Sequence, residues 1–143
     1  MDESNSKLDP ELIDAYKSTL FQIFLDDTIV TLKIGETCEP LRNLFQKHAV
    51  ISACFITAYN PFGRLLSIEE NCARNDKMKS NLATKYPILD GIGVDPEGAW
   101  EGEASLLVLG VNLNEAAELA ELYQQNAVVF IDINFVPTLI FTR

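Results

Sequence analysis

Val50-Ile51-Ser52-Ala53-Cys54-Phe55-Ile56-Thr57-Ala58 is an almost unbroken apolar run, and it ends in Tyr59-Asn60-Pro61. An apolar stretch without polar alternation marks a central strand covered on both faces. The proline closes it, and residues 59–66 read as a loop. Ser67 with Glu70 three positions later forms a capping box. It opens a long helix that runs to about Tyr86, where Pro87 prevents continuation. Strand ends that run into polar residues and hand over to a helix are where mixed α and β domains usually place their sites.

Outward from this centre the pattern alternates. Asp9-Pro10 reads as an N-cap followed by proline at the first helical position, opening a helix to about Tyr16. Thr19–Leu25 and Thr28–Ile34 alternate apolar and polar residues about an Asp26-Asp27 turn, a hairpin with one solvated face. A helix follows over Glu39–His48, with Leu41, Leu44 and Phe45 inward. Downstream, Ile88–Val94 reads as a strand, Asp95-Pro96-Glu97-Gly98 as a turn, and Ala104–Val111 as a second strand. Asn114 is expected to cap an alanine-rich helix to about Gln125. Strands over Ala127–Ile133 and Phe135–Thr142 complete the chain, with Pro137 placing the last at a sheet edge or a bulge. The order predicts an α+β fold with a single mixed or antiparallel sheet and about four helices packed mainly on one face. Residues 1–8 read as a flexible tail and 9–143 as one domain.

The bulk composition narrows the function classes. The chain has 143 residues, 48% hydrophobic and 22% charged, enough for one domain with a core. Its net charge of −10 argues against nucleic acid and against anionic membrane surfaces, both of which require clustered Lys and Arg. Cys38, Cys54 and Cys72 are odd in number and widely spaced, so each is expected as a buried free thiol. The first ten residues are polar and acidic, unlike a secretory leader, and no apolar run spans a membrane. A reducing cytoplasm fits these features.

Three polar groups stand out. Asn71, Asn75, Met78 and Leu82 form a helical stripe, which puts the two asparagines at the border of a buried face with Arg74 beside them. Buried amides need several partners. Thr57, Tyr59 and Asn60 at the strand end are candidates, and so is a ligand; a purely structural tie between loop and helix serves equally. Glu70 and Arg74 read as a surface ion pair. The second group is Trp100-Glu101-Gly102-Glu103, where a carboxylate beside an aromatic at a strand mouth has the makings of a general base, or of a mere acidic loop under a tryptophan lid. Asp90, Asp95, Glu97, Glu101 and Glu103 do not follow the spacing of a calcium loop, so no metal site is expected. The third is Gln124-Gln125-Asn126, with Asn126 expected as the left-handed cap of the preceding helix. A single histidine, His48, and scattered cysteines lack the parts for a zinc site or a Cys–His dyad.

Thr57-Ala58-Tyr59-Asn60-Pro61, Glu70-Asn71 with Arg74, Trp100 with Glu103, and Gln125-Asn126-Ala127 together resemble a bacterial family known as domain of unknown function 3293. The likeness runs in order from about Tyr16 to Phe130, and the family more often carries tryptophan at the position of Tyr59. The resemblance implies one domain whose polar clusters belong together, and it implies no activity. The functional expectation is a small polar or nucleotide-like ligand bound at the strand ends. Tyr59 and Trp100 would stack on it, Asn60, Asn71, Asn75 and Gln125 would hydrogen-bond it, and Arg74 would meet an anionic group. Glu103 is the acid–base candidate should chemistry occur, which leaves enzyme or binder open, and no cofactor is indicated. The alternative is a non-enzymatic protein-interaction module with an acidic surface, engaging a protein partner or a second copy.

Overall fold

The computed structural model describes residues 8–143, so the expected tail falls almost wholly outside the described residues. Within them the chain forms α1 (Pro10–Ser18), β1 (Leu20–Leu25), β2 (Thr28–Leu32), α2 (Pro40–His48), β3 (Ala53–Ile56), α3 (Ile68–Ala83), β4 (Ile88–Val94), β5 (Glu103–Leu109), α4 (Leu113–Leu122), β6 (Ala127–Ile131) and β7 (Pro137–Phe141). The strands make one sheet in the order β2-β1-β4-β5-β3-β6-β7, antiparallel throughout. This is the α+β fold, with four helices and a single sheet. No helix among the described residues is long and apolar enough to cross a membrane.

The helix starts follow local chemistry. Asp9 accepts the Glu11 amide at 2.8 Å ahead of Pro10, and Ser67 accepts the Glu70 amide at 3.1 Å while Glu70 reaches back to Ser67. The cap of α4 is Asn112 rather than Asn114. Its side chain accepts the Glu115 amide at 2.8 Å and Glu115 returns the bond at 3.0 Å, a reciprocal pair that Asn114 has no matching acid to form.

All four residues of β3 are buried, and they feed two cores by alternation. Phe55 joins Phe21, Ile23, Leu107, Leu109, Val129 and Ile131 on one face, where Leu41, Leu44 and Phe45 of α2 pack. Cys54 and Ile56 join Leu106, Val108 and Val128 on the other, beneath Met78 and Leu82 of α3 and Ala116 and Ala120 of α4. Burial pushes the Cys54 thiol up to about 12, so it is an inert core group. Cys72, expected in the core, is exposed instead, because α3 turns its Asn71–Asn75–Met78–Leu82 stripe inward. The apolar run from Val50 is longer than the strand: Ile51 is 70% exposed, and Ser52 turns its hydroxyl onto the Val111 carbonyl.

The sheet curls until its two ends meet. Gly35, just after β2, donates to the Pro137 carbonyl at 2.9 Å, and Cys38 donates to Phe135 at 2.8 Å. The face carrying Phe55 is therefore turned in on itself. Close packing there requires glycine in β4. A Cβ on Gly91 would lie 2.5 Å from the Gln22 carbonyl oxygen and 2.8 Å from Phe55 Cε2, whereas one on Gly93 would meet only Thr19 Cγ2 at 3.8 Å.

The two glycines thus separate a steric effect from a conformational one. Gly91→Ala is expected to destabilise by about 1–3 kcal/mol through overpacking, outweighing the entropy gained in the unfolded chain. Gly93→Ala is expected to stay within about 0.5 kcal/mol of the parent. Urea unfolding of both variants checks the contrast.

Candidate functional site

The antiparallel registers bring the start of β1, the end of β4, the start of β5, the end of β3 and the start of β6 to one edge of the curled sheet. There the backbone leaves the ladder while still buried, and side chains replace its hydrogen bonds. Thr57 Oγ1 donates to the Ala104 carbonyl at 2.7 Å and accepts the Tyr59 amide at 3.1 Å. The Ala58 amide donates to Asn75 Oδ1 at 3.3 Å, and the Asn60 amide donates to Asn71 Oδ1 at 2.8 Å. The Ala58 carbonyl accepts Arg74 Nε at 2.7 Å, and the Tyr59 carbonyl accepts Gln125 Nε2 at 3.0 Å. Apart from Thr57, these side chains come from α3 or from the turn after α4, so the loop after β3 is held from two sides at once.

Asn60 is the centre of the arrangement. Its backbone is left-handed, with φ 47°. Its Oδ1 accepts the Leu66 amide at 3.0 Å and Asn71 Nδ2 at 2.9 Å, and its own Nδ2 donates to Glu103 Oε2 at 3.2 Å. Asparagine tolerates this conformation better than most residues. Phe62 (φ 50°) and Gln124 (φ 58°) are also left-handed, and the Phe62 amide donates to the Gln124 carbonyl. Three non-glycine residues in a sparsely populated region within one loop cluster represent local strain of the kind that gathers at functional sites.

This edge opens into a cavity of about 470 Å³. Five aromatic side chains line it: Tyr16, Phe21, Phe55, Tyr59 and Trp100. Its rim carries apolar groups that face water, with Leu65 84%, Ile68 53% and Trp100 37% exposed. Glu103 enters from the start of β5. Its burial raises the carboxyl above the ordinary 4.5, and the hydrogen bond from Asn60 only partly offsets that. Across the cavity the Tyr16 hydroxyl of α1 faces Asn126 and feels the Glu103 charge, and burial raises it too. Tyr59, whose hydroxyl lies 3.6 Å from Cys72 Sγ, is pushed up to about 12 by burial and by that contact, so it stays neutral.

Of the residues singled out in the sequence, Tyr59, Asn60, Asn71, Trp100, Glu103 and Gln125 line this cavity. Arg74 and Asn75 do not. Asn75 is engaged by the Ala58 amide, and Arg74 is directed at the carbonyls of Ala58 and, at 2.9 Å, of Tyr123, where a cation suits the end of α4. Among the described residues Arg74 does not pair with Glu70, which belongs to the Ser67 cap. The left-handed residue after α4 is Gln124, not Asn126; Asn126 is buried beside Tyr16. Tyr16, Phe21 and Phe55 escape a reading of the sequence as site residues. Each obeys a core or amphipathic pattern, and only the curl turns them into one cavity. The acidic residues of β4 and the turn after it disperse: Asp90 pairs with Lys79 at 2.8 Å, and Asp95 caps its own turn through Glu97 and Ala99. No three His, Cys, Asp or Glu side chains gather as metal ligands among the described residues.

Residues 56–128 match the model of a family described as protein of unknown function (DUF3293), about half of the chain. The matched span starts at the end of β3 and ends in β6, so it carries the polar lining of the cavity apart from Tyr16 and Thr19. No curated protein and no solved structure matches the chain.

Two measurements follow from this geometry. Asn71→Ala leaves the Asn60 amide without its acceptor in a buried setting, and a loss of about 1–3 kcal/mol is expected in urea unfolding. The Glu103 carboxyl binds its proton more tightly in the folded chain, so it favours folding at low pH. That contribution is lost as pH rises from 4.5, the ordinary value, through the raised folded one. Glu103→Gln keeps an oxygen for Asn60 but cannot ionise. Its stability relative to the parent is expected to rise between about pH 4 and about pH 7, which paired unfolding curves at the two pH values read directly.

Proposed function

The chain belongs to the DUF3293 family of proteins of unknown function, and we propose that the mouth of its curled sheet is the binding site of a small molecule with a flat, largely apolar body and one polar end. The observation that carries this reading is the cavity itself. Its volume of about 470 Å³ lies within the range of small-molecule sites, and its lining combines aromatic faces with a few convergent polar groups.

The side chains divide the work. Phe21 and Phe55 form an apolar floor, and Trp100 on the Gly98–Gly102 segment is a wall against which a ring can stack. Glu103 and Tyr16 offer the polar end. Asn71, Asn75, Arg74 and Gln125 act one step away, by holding the 57–60 backbone in the conformation that presents Asn60 and Tyr59. The exposed Leu65 and Ile68 at the rim extend the apolar surface outward, as contiguous exposed apolar groups do at ligand grooves. A nucleobase or a similar heteroaromatic meets these conditions.

Trp100 is the only tryptophan in the chain, so its emission reports directly on the cavity wall. A panel of heteroaromatic and aryl fragments is expected to contain members that shift this emission and raise the melting temperature. A ligand at a hundredfold its dissociation constant stabilises by about 2.7 kcal/mol, several degrees for a domain of this size. Ligands that raise the melting temperature without touching Trp100 emission, and equally in Trp100→Ala, would place binding elsewhere.

A further inference from the structure

Resting on that reading of the cavity, we infer that its ligand is an organic cation, an ammonium or amidinium group on an aromatic or apolar body, seated against Glu103. The lining supplies the argument. Among the described residues it contains five aromatic rings and the carboxylates of Glu103 and Glu101, and no Lys, Arg or His. Arg74 of α3 is held by the carbonyls of Ala58 and Tyr123, and Arg143 lies over the Phe62 ring, 3.6 Å from its centroid. Glu103 forms no ion pair among the described residues, where the pairs are Arg42–Glu39 and Lys79–Asp90.

The hydrogen bonds leave a place for the cation. Asn60 Nδ2 donates to Glu103 Oε2, and Oε1 receives no hydrogen bond among the described residues. No fully buried side-chain oxygen or nitrogen lacks a partner among them, so Oε1 is reached from the cavity and not sealed in the core. A carboxylate held from behind, open in front and walled by aromatic faces is the combination that binds ammonium and amidinium groups. The carboxylate takes charged N–H donors, and the ring faces attract the cation through their quadrupoles. A phosphate or carboxylate brought to the same place would meet Glu103 in a low-dielectric cavity with no compensating positive side chain. The net charge of −10 acts in the same direction by drawing cations to the surface.

The test uses matched probes: 2-phenylethylamine and benzamidine as cations, 2-phenylethanol as the neutral counterpart and phenylacetate as the anion. Binding is followed by Trp100 emission and by amide chemical shifts of the cavity residues, at millimolar concentrations suited to fragments. The expected result is that the cations bind, the alcohol binds more weakly and the anion does not bind. Glu103→Gln is expected to weaken the cations about thirtyfold or more while leaving the alcohol nearly unchanged. Since the Gln side chain retains an acceptor for Asn60, folding is checked by its unchanged amide spectrum outside the cavity. Equal binding of alcohol and amine, insensitive to Glu103→Gln, would overturn the cation while leaving the cavity as a binding site. Preferential binding of phenylacetate would also overturn it. Shifts confined to residues away from the cavity for every probe would remove both readings together.

Discussion

Where β3 leaves the sheet after Ile56, the backbone of residues 57–60 is buried and has no neighbouring strand to bond. Unpaired amides and carbonyls in such a place cost about 1–3 kcal/mol each. The architecture of this end of the molecule follows from satisfying them. Asn71, Asn75, Arg74 and Gln125 each bond this backbone, Thr57 ties it to Ala104 of β5, and together they pin the loop between α3 and the turn after α4. A left-handed Asn60 and Phe62 persist because the surrounding bonds over-determine them.

That constraint separates structural polar groups from available ones. The amides and the arginine are engaged by protein partners, which is why a site dense in polar residues is less polar as a ligand would meet it. Glu103 differs. It is partly buried, one of its oxygens is held by Asn60, and that burial raises its carboxyl. The network therefore has a dual role: it supports the β3 exit and, through Asn60, orients the Glu103 carboxylate at the mouth of the sheet.

Much of the fold is written locally. The caps at Asp9 and Ser67, the alternation in the first hairpin and the apolar burst around Phe55 are short-range signals, and the elements lie where those signals put them. Pro137 does lie on an edge strand. The differences are also physical. The strand within 50–58 is short because Ser52 and Thr57 spend their hydroxyls on carbonyls outside the regular ladder. The cap of α4 moves to Asn112 because a capping box requires its partner acid three residues on, and Glu115 is that acid. Cys72 faces water because one helix cannot bury both its stripe and the adjoining side.

The candidate site was legible only in outline. Asn60, Asn71 and Glu103 could be picked out as polar residues in positions that need partners, since a polar side chain at a strand end or on a buried stripe is a signal one segment carries by itself. Which of them would serve the backbone and which would face open space depends on distances between α3, β5 and the end of α4. Tyr16, Phe21 and Phe55 obey ordinary core or amphipathic patterns in sequence, and they become cavity walls only because the sheet curls and α1 lies across its mouth. The sequence alone determined the elements, the caps of α1 and α3 and the acidic character of the chain, because those rest on composition and on contacts between near neighbours. The tertiary structure alone decided that the Glu103 carboxylate would face a cavity of aromatic rings with no basic side chain among the described lining residues, because that is a property of residues that meet only when the sheet closes.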